Sequence, residues 1–194
     1  LAVVKMEGWK REMWYDETGL PWIRPSPNMP TMKTAVVYPG TCLIEGTNVS
    51  EGRGTEHPFE YLGAPWIDGK RLAEELNSHN LPGVKFRAIQ FTPVDIERVT
   101  VDLKFEDQIC HGVFVDVVDR NAFKPVCTAV YILSSLRKLY PDNFAFRDRR
   151  FDRLAGVAWV RERINTGRSP DEIVKNWLRD KEAFKLLKKK YLLY

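Results

Sequence analysis

The chain has 194 residues, of which 44% are hydrophobic and 29% charged, and carries a net charge of +4; this is the balance of one globular domain long enough to bury a substantial core. No stretch reaches the roughly 18 to 20 consecutive apolar residues that a helical membrane span needs. The basic clusters from Arg147 to Arg153 and from Lys185 to Lys190 do not follow the nucleic-acid module pattern of a basic run with interleaved aromatics, so they read as solvated helix faces.

The chain opens on "LAVVKMEGW", an apolar run that predicts a buried strand. Nothing resembling a leader or cap precedes it, so the sequence is expected to start inside a longer polypeptide, and a compartment cannot be read from this end. Tyr15 to Thr31 holds four prolines and a glycine, which remove backbone donors and predict an extended loop. Thr34 to Ile44 is apolar with Pro39 and Gly40 inside it, which allows either a kinked helix or two short pieces.

"DGKRLAEELNSHNLPG" predicts a helix capped by Asp68 and stopped by Pro82 and Gly83, with Leu72, Ala73 and Leu76 inward. Val84 to Phe91 and Cys110 to Asp119 read as strands, and Val94 to Gln108 between them as a third strand or hairpin. Ala122 to Pro141 predicts a long apolar helix, followed by one short helix within "FDRLAGVAWVRERINTG". Ser169, Pro170 and Glu172 then form the signature that opens a C-terminal helix. The order of elements predicts an α+β fold: a single mixed β-sheet packed with helices, long proline- and glycine-rich loops, and a C-terminal helix.

The segment "EGTNVSEGRGTEHPF", Glu45 to Phe59, stands out with three glycines, three carboxylates, Arg53 and His57. The histidines His57, His79 and His111 lack partners at ligand spacing, so neither a metal nor another cofactor is expected. Cys42, Cys110 and Cys127 are odd in number and far apart, which argues against a disulfide framework. A nucleophile elbow, a P-loop and a dinucleotide fingerprint are all missing from the sequence.

Carboxylates and hydrogen-bonding groups are what remain. Glu45, Glu51, Glu56 and Glu60 can act as acid or base, Arg53 offers a fork for a carboxylate, and Asn48 and Ser50 offer neutral bonding groups. Beside a Trp-bearing loop this mixture suits an anionic sugar, whose C–H faces, hydroxyls and acid group need those three kinds of partner. The alternative is an ordered loop whose side chains bond their own backbone.

The block "PWIRPSPNMPTMKTAVVYPGTCLIEGTNVSEGRGTEHPFEYLGAPWID" closely resembles the signature block of the exo-β-N-acetylmuramidase family, a bacterial family long catalogued as a domain of unknown function. The resemblance continues through "LPGVKFRAIQFTP", "FDRLAG" and the terminal "YLLY". It implies a glycoside hydrolase that removes terminal N-acetylmuramic acid from peptidoglycan fragments during cell-wall recycling, in an exported bacterial protein. Family members are about twice this length, with a Rossmann-like N-terminal half, and the resemblance places residues 1–194 in the C-terminal half with the other half absent. The family's Pro-Glu-His-Gly motif, which carries its favoured catalytic glutamate, does not occur here.

Glycoside hydrolysis usually needs two carboxyl groups about 5 to 10 Å apart. If one lies in the other half, Glu51 or Glu45 is the local candidate for the second. On the same resemblance Arg53 would pair with the lactyl carboxylate, and Ser26, Asn28, Asn48 and Ser50 would bond the hydroxyls and N-acetyl group. Arg24, Tyr38 and His57 complete the expected binding set. The expected partners are a muramic-acid-containing sugar, the N-terminal half and a second copy of the chain, with no nucleic acid. The competing reading is a non-catalytic carbohydrate-binding or structural domain.

Overall fold

The computed structural model describes residues 2–97 and 103–194. Three strands, β1 (Tyr61–Ala64), β2 (Val84–Phe91) and β3 (Cys110–Val117), pair antiparallel in the order β1-β3-β2. The register sets Leu62 opposite Val113 and Phe86 opposite Val115. Side chains opposite one another share a face, so these four make a single apolar surface, all of them buried. The other face carries Tyr61, Phe114 and Arg87, also in register.

Helices cover the apolar face. α2 (Gly69–Ser78) packs on β2 and β3, and α3 (Pro125–Leu139) packs between α1 (Met32–Thr41), α2 and α6 (Pro170–Lys188). Ile132, Leu133 and Leu136 of α3 meet Leu72 and Leu76 of α2 in one core cluster with the sheet. Each such side chain contributes about 1.5–3 kcal/mol by leaving water. α4 (Asp148–Ala155) packs on a 3₁₀ turn, Cys42–Gly46, and α5 (Trp159–Asn165) follows it. No described helix is long and apolar enough to cross a membrane.

The helix starts follow their caps. Asp68 accepts from the Lys70 and Arg71 N–H groups, and Ser169 accepts from Glu172 N while Glu172 reaches back to Ser169 N. The α+β class is the one expected. Thr34 to Ile44 resolves into α1, capped by Thr31, running on into the 3₁₀ turn, with Pro39 inside the helix.

Several local expectations are corrected. Residues 2–9 form no strand, and Val4 is 94% exposed. They lie instead by the C-terminus: the Trp9 ring meets the Tyr194 ring edge-on at 4.8 Å, and Met6 N donates to the Tyr194 hydroxyl. The single short helix expected after Phe151 is two, α4 and α5, because Gly156 takes φ +75° and ends the first. β1 falls in a stretch given no strand from the sequence. Between Val94 and Gln108 the described residues form no strand, and residues 98–102 lie outside the description.

Candidate functional site

The polar segment is held from both ends. Gly40 of α1 approaches α3 so closely that a Cβ would sit 2.0 Å from the Pro125 carbonyl oxygen. Beyond the 3₁₀ turn the Thr47 hydroxyl donates to Ile44 O and accepts from Val49 N, a tight turn made by one side chain. Isolated bridges pair Thr47 with Phe146 and Ser50 with Gly63, so the loop is sewn to the α4 side and to β1. Gly52 adopts φ +75°, and a Cβ there would meet Tyr61 O at 2.6 Å. Only glycine satisfies both conditions.

Phe59 also has positive φ, +65°, which is rare for a bulky side chain and costs on the order of 1–3 kcal/mol. What holds it is packing. Its ring is buried edge-on against Tyr38 at 4.8 Å, the Arg53 guanidinium lies 5.3 Å from its centroid, and its N–H donates to Glu51 O at 2.6 Å.

Around this ring the loop assembles a charge network. Arg53 Nη2 lies 3.0 Å from Glu45 Oε2, and Arg150 Nη2 of α4 meets the same oxygen at 3.0 Å. Arg53 Nε is 3.6 Å from Glu51 Oε1 and has no hydrogen-bond partner among the described residues. Glu51 Oε2 takes Lys104 Nζ at 2.8 Å, and Lys104 also donates to Ile44 O and Val49 O. Burial pulls the Lys104 ammonium below its ordinary pKa, with Glu51 acting in the opposite direction. Burial and the nearby Glu45 charge push the Cys42 thiol up to about 11.

The geometry brings Glu45, Glu51, Arg53 and Tyr38 together around Phe59. Glu45 and Glu51 act there as acceptors for three cations, Arg53, Arg150 and Lys104; a carboxylate committed in this way orients a guanidinium and is poorly placed to deliver a proton. Arg53 is the member whose side chain is both clamped and 18% exposed.

Asn48 lies in the same loop but uses its amide on backbone. Its Nδ2 donates to Asn143 O at 2.7 Å and its Oδ1 accepts from Ala145 N at 2.9 Å. Ser50, buried, accepts from Gly52 N. Arg24, Ser26 and Asn28 belong to the proline-rich segment ahead of α1. Arg24 is exposed there, and the Ser26 hydroxyl accepts from Asn28 N in a turn.

His57 sits elsewhere, with Nδ1 3.7 Å from Glu60 Oε2 and its ring beside Tyr61 and Phe114. Glu60 is 4% exposed and accepts from the Thr34 hydroxyl at 2.8 Å. It lines a cavity of about 610 Å³ whose wall also includes Lys33, Arg87 and Phe114. A buried carboxyl that accepts from a hydroxyl and lies near an imidazole, at the wall of a cavity of ligand size, is chemically suited to proton transfer.

Sequence reasoning missed Lys104 and Arg150 as parts of the site. Lys104 has no local motif, and Arg150 was expected on a solvated helix face; its pairing with Glu45 corrects that reading. Glu60 was visible as one of four carboxylates, but its pairing with Thr34 depends on the fold.

The family model described as "Exo-beta-N-acetylmuramidase NamZ, C-terminal" matches residues 36–194, and its N-terminal counterpart matches residues 1–33. The chain is 47% identical to the peptidoglycan beta-N-acetylmuramidase NamZ of Bacillus subtilis (strain 168), over 100% of this chain and 45% of that protein. Two crystal structures of DUF1343 family proteins from Bacteroides fragilis are similar to it. One has TM-score 0.87 at 32% identity, over 98% of this chain and 50% of the other; the second has TM-score 0.65 at 34% identity, over 88% and 43%. The chain thus spans half or less of the length of the relatives it matches.

Proposed function

This chain belongs to the exo-β-N-acetylmuramidase NamZ family, and from that premise we propose that it forms the C-terminal part of a two-part glycoside hydrolase acting on terminal N-acetylmuramic acid of peptidoglycan fragments. The observation that carries the reading is the match to the NamZ C-terminal model over residues 36–194. The clamped Arg53 gives it a chemical anchor, since a fixed, partly exposed guanidinium suits the lactyl carboxylate that distinguishes muramic acid from glucosamine.

In this reading Glu45 and Glu51 orient Arg53, with Tyr38 on the sugar's flank and His57 set apart beside Glu60. Asn48 and Ser50 hold the loop in shape, and Arg24, Ser26 and Asn28 contribute from the proline-rich segment. The principal acid comes from the N-terminal half, which a Rossmann-like domain outside these residues supplies. The enzyme works after export. Apolar side chains exposed on α6, such as Phe184 and Leu186, pack against the rest of the enzyme or a second copy.

The test is hydrolysis of a chromogenic N-acetylmuramic acid glycoside by the full-length protein and by this chain alone. Turnover by the full-length protein and none by the chain is the expected result. Failure of the full-length protein on the muramic acid glycoside overturns the substrate reading, and strong turnover by the chain alone overturns the two-part division.

A further inference from the structure

Apart from the charged loop, α2, α3 and the start of α6 enclose a second cavity, of about 430 Å³, lined by His79, Ser134, Ser135, Arg137, Arg168 and Ser169. One water occupies about 30 Å³ of liquid, so this space is large enough for a small organic molecule.

Its wall holds unsatisfied polar groups. Among the described residues His79 Nε2, Ser134 Oγ and Ser135 Oγ are buried without a hydrogen-bond partner, and Ser135 as a whole is 2% exposed. An unpaired buried polar group costs about 1–3 kcal/mol, and native interiors retain few. The two serines interrupt the apolar run Ile132, Leu133, Leu136 of α3. Alanine would occupy the same places with better helix propensity and no polar penalty, so hydroxyls at this wall point to a bonding partner that enters the cavity.

The charge at the wall indicates what kind of partner. Glu75, the one carboxylate lining the cavity among the described residues, is taken by Lys138 Nζ at 2.8 Å and lies 3.6 Å from His79 Nε2. Arg137 donates to the Pro141 carbonyl, and neither Arg137 nor Arg168 forms an ion pair among the described residues. The cavity therefore has two guanidinium groups in excess. The start of α6 adds little, because its first-turn acids are already placed: Asp171 accepts from the Tyr131 hydroxyl and Glu172 closes the capping box.

We infer that this cavity binds a phosphorylated polyol of sugar size, with Arg168 and Arg137 on the phosphate and Ser134, Ser135 and His79 on hydroxyl groups. Guanidinium forks match phosphate oxygens in pairs, and hydroxyls that donate as well as accept match the serines and imidazole. The site is independent of the muramic acid reading.

Calorimetric and amide-NMR titration of the chain with glucose-6-phosphate, inorganic phosphate and glucose tests it. Glucose-6-phosphate should shift the amides of Ser134, Ser135 and Arg168, inorganic phosphate the same amides more weakly, and glucose none of them. Arg168→Ala, at an exposed position, should weaken binding about tenfold. Ser135→Ala should weaken binding and at the same time raise the Tm of the ligand-free chain, since it removes an unpaired hydroxyl; a serine with only a structural role would not join those two effects. Silence with all three probes overturns the inference, as does a response to phosphate that survives both substitutions, which would mark adventitious anion binding.

Discussion

Lys104 Nζ lies 2.8 Å from Glu51 Oε2 with the two side chains 6% and 4% exposed. Ile44 O and Val49 O accept its two remaining hydrogens, so the ammonium uses every donor it has. Lys104→Met leaves a buried carboxylate and two carbonyls without that partner and is expected to destabilise the chain by about 3–5 kcal/mol. Adding Glu51→Leu should recover much of the loss. Urea unfolding of the single and double variants at neutral pH measures both.

The same lysine sets a pH dependence. Its folded pKa lies below the ordinary 10.5, so between those two values the folded chain binds fewer protons than the unfolded one. Stability from this group is then reduced at pH below its folded value and rises as pH climbs toward 10.5. The difference in unfolding free energy between wild type and Lys104→Met should grow with alkaline pH; a flat difference would contradict the assignment.

Cys42 gives a chemical readout of Glu45. With the thiol raised to about 11 by burial and then by the Glu45 charge, alkylation by iodoacetamide at pH 8 should be slow. Neutralising the neighbour in Glu45→Gln should accelerate labelling, as followed by intact-mass spectrometry.

Arg53 separates binding from folding. In Arg53→Ala, Glu45 keeps Arg150 and Glu51 keeps Lys104, so the fold should persist. In the full-length enzyme KM for a muramic acid glycoside should rise roughly ten- to a hundredfold, with a much smaller change for the glucosamine analogue. Equal effects on both substrates would remove Arg53 from lactyl recognition.

Gly46 is where α4 meets the loop. A Cβ there would lie 2.6 Å from Phe151 Cα and 2.7 Å from its Cβ. Gly46→Ala should therefore cost about 1–3 kcal/mol or more and shift α4, carrying Arg150 off Glu45. Thermal unfolding reads the first effect, and slower Cys42 labelling reads the second, because a Glu45 charge without Arg150 raises the thiol further.

Local chemistry was legible in the sequence where a single residue decides the outcome. Asp68 capped α2, Ser169 and Glu172 closed their box, and the alternation from Val84 to Phe91 made a strand. The apolar run at residues 2–9 misled because composition cannot say whether a partner strand exists. Within the site, Glu45, Glu51 and Arg53 stood out through their crowding, but their arrangement there depends on Lys104 and Arg150, which lie 53 and 105 positions from Glu51 and Glu45. The Thr34–Glu60 bond was hidden for the same reason: each residue is ordinary in its own neighbourhood.

The three bonds of Lys104 span 60, 55 and 53 residues of chain. Closing a flexible loop of that size costs about 3.5 kcal/mol in chain entropy before any contact offsets it. The backbone from Ile44 to Glu51 is thus completed by a side chain that reaches it from beyond β1, α2 and β2 in the chain. In refolding, amide protection of this segment should trail that of α2 and β2, and the surface around Arg53 should be among the last regions to leave the denatured ensemble.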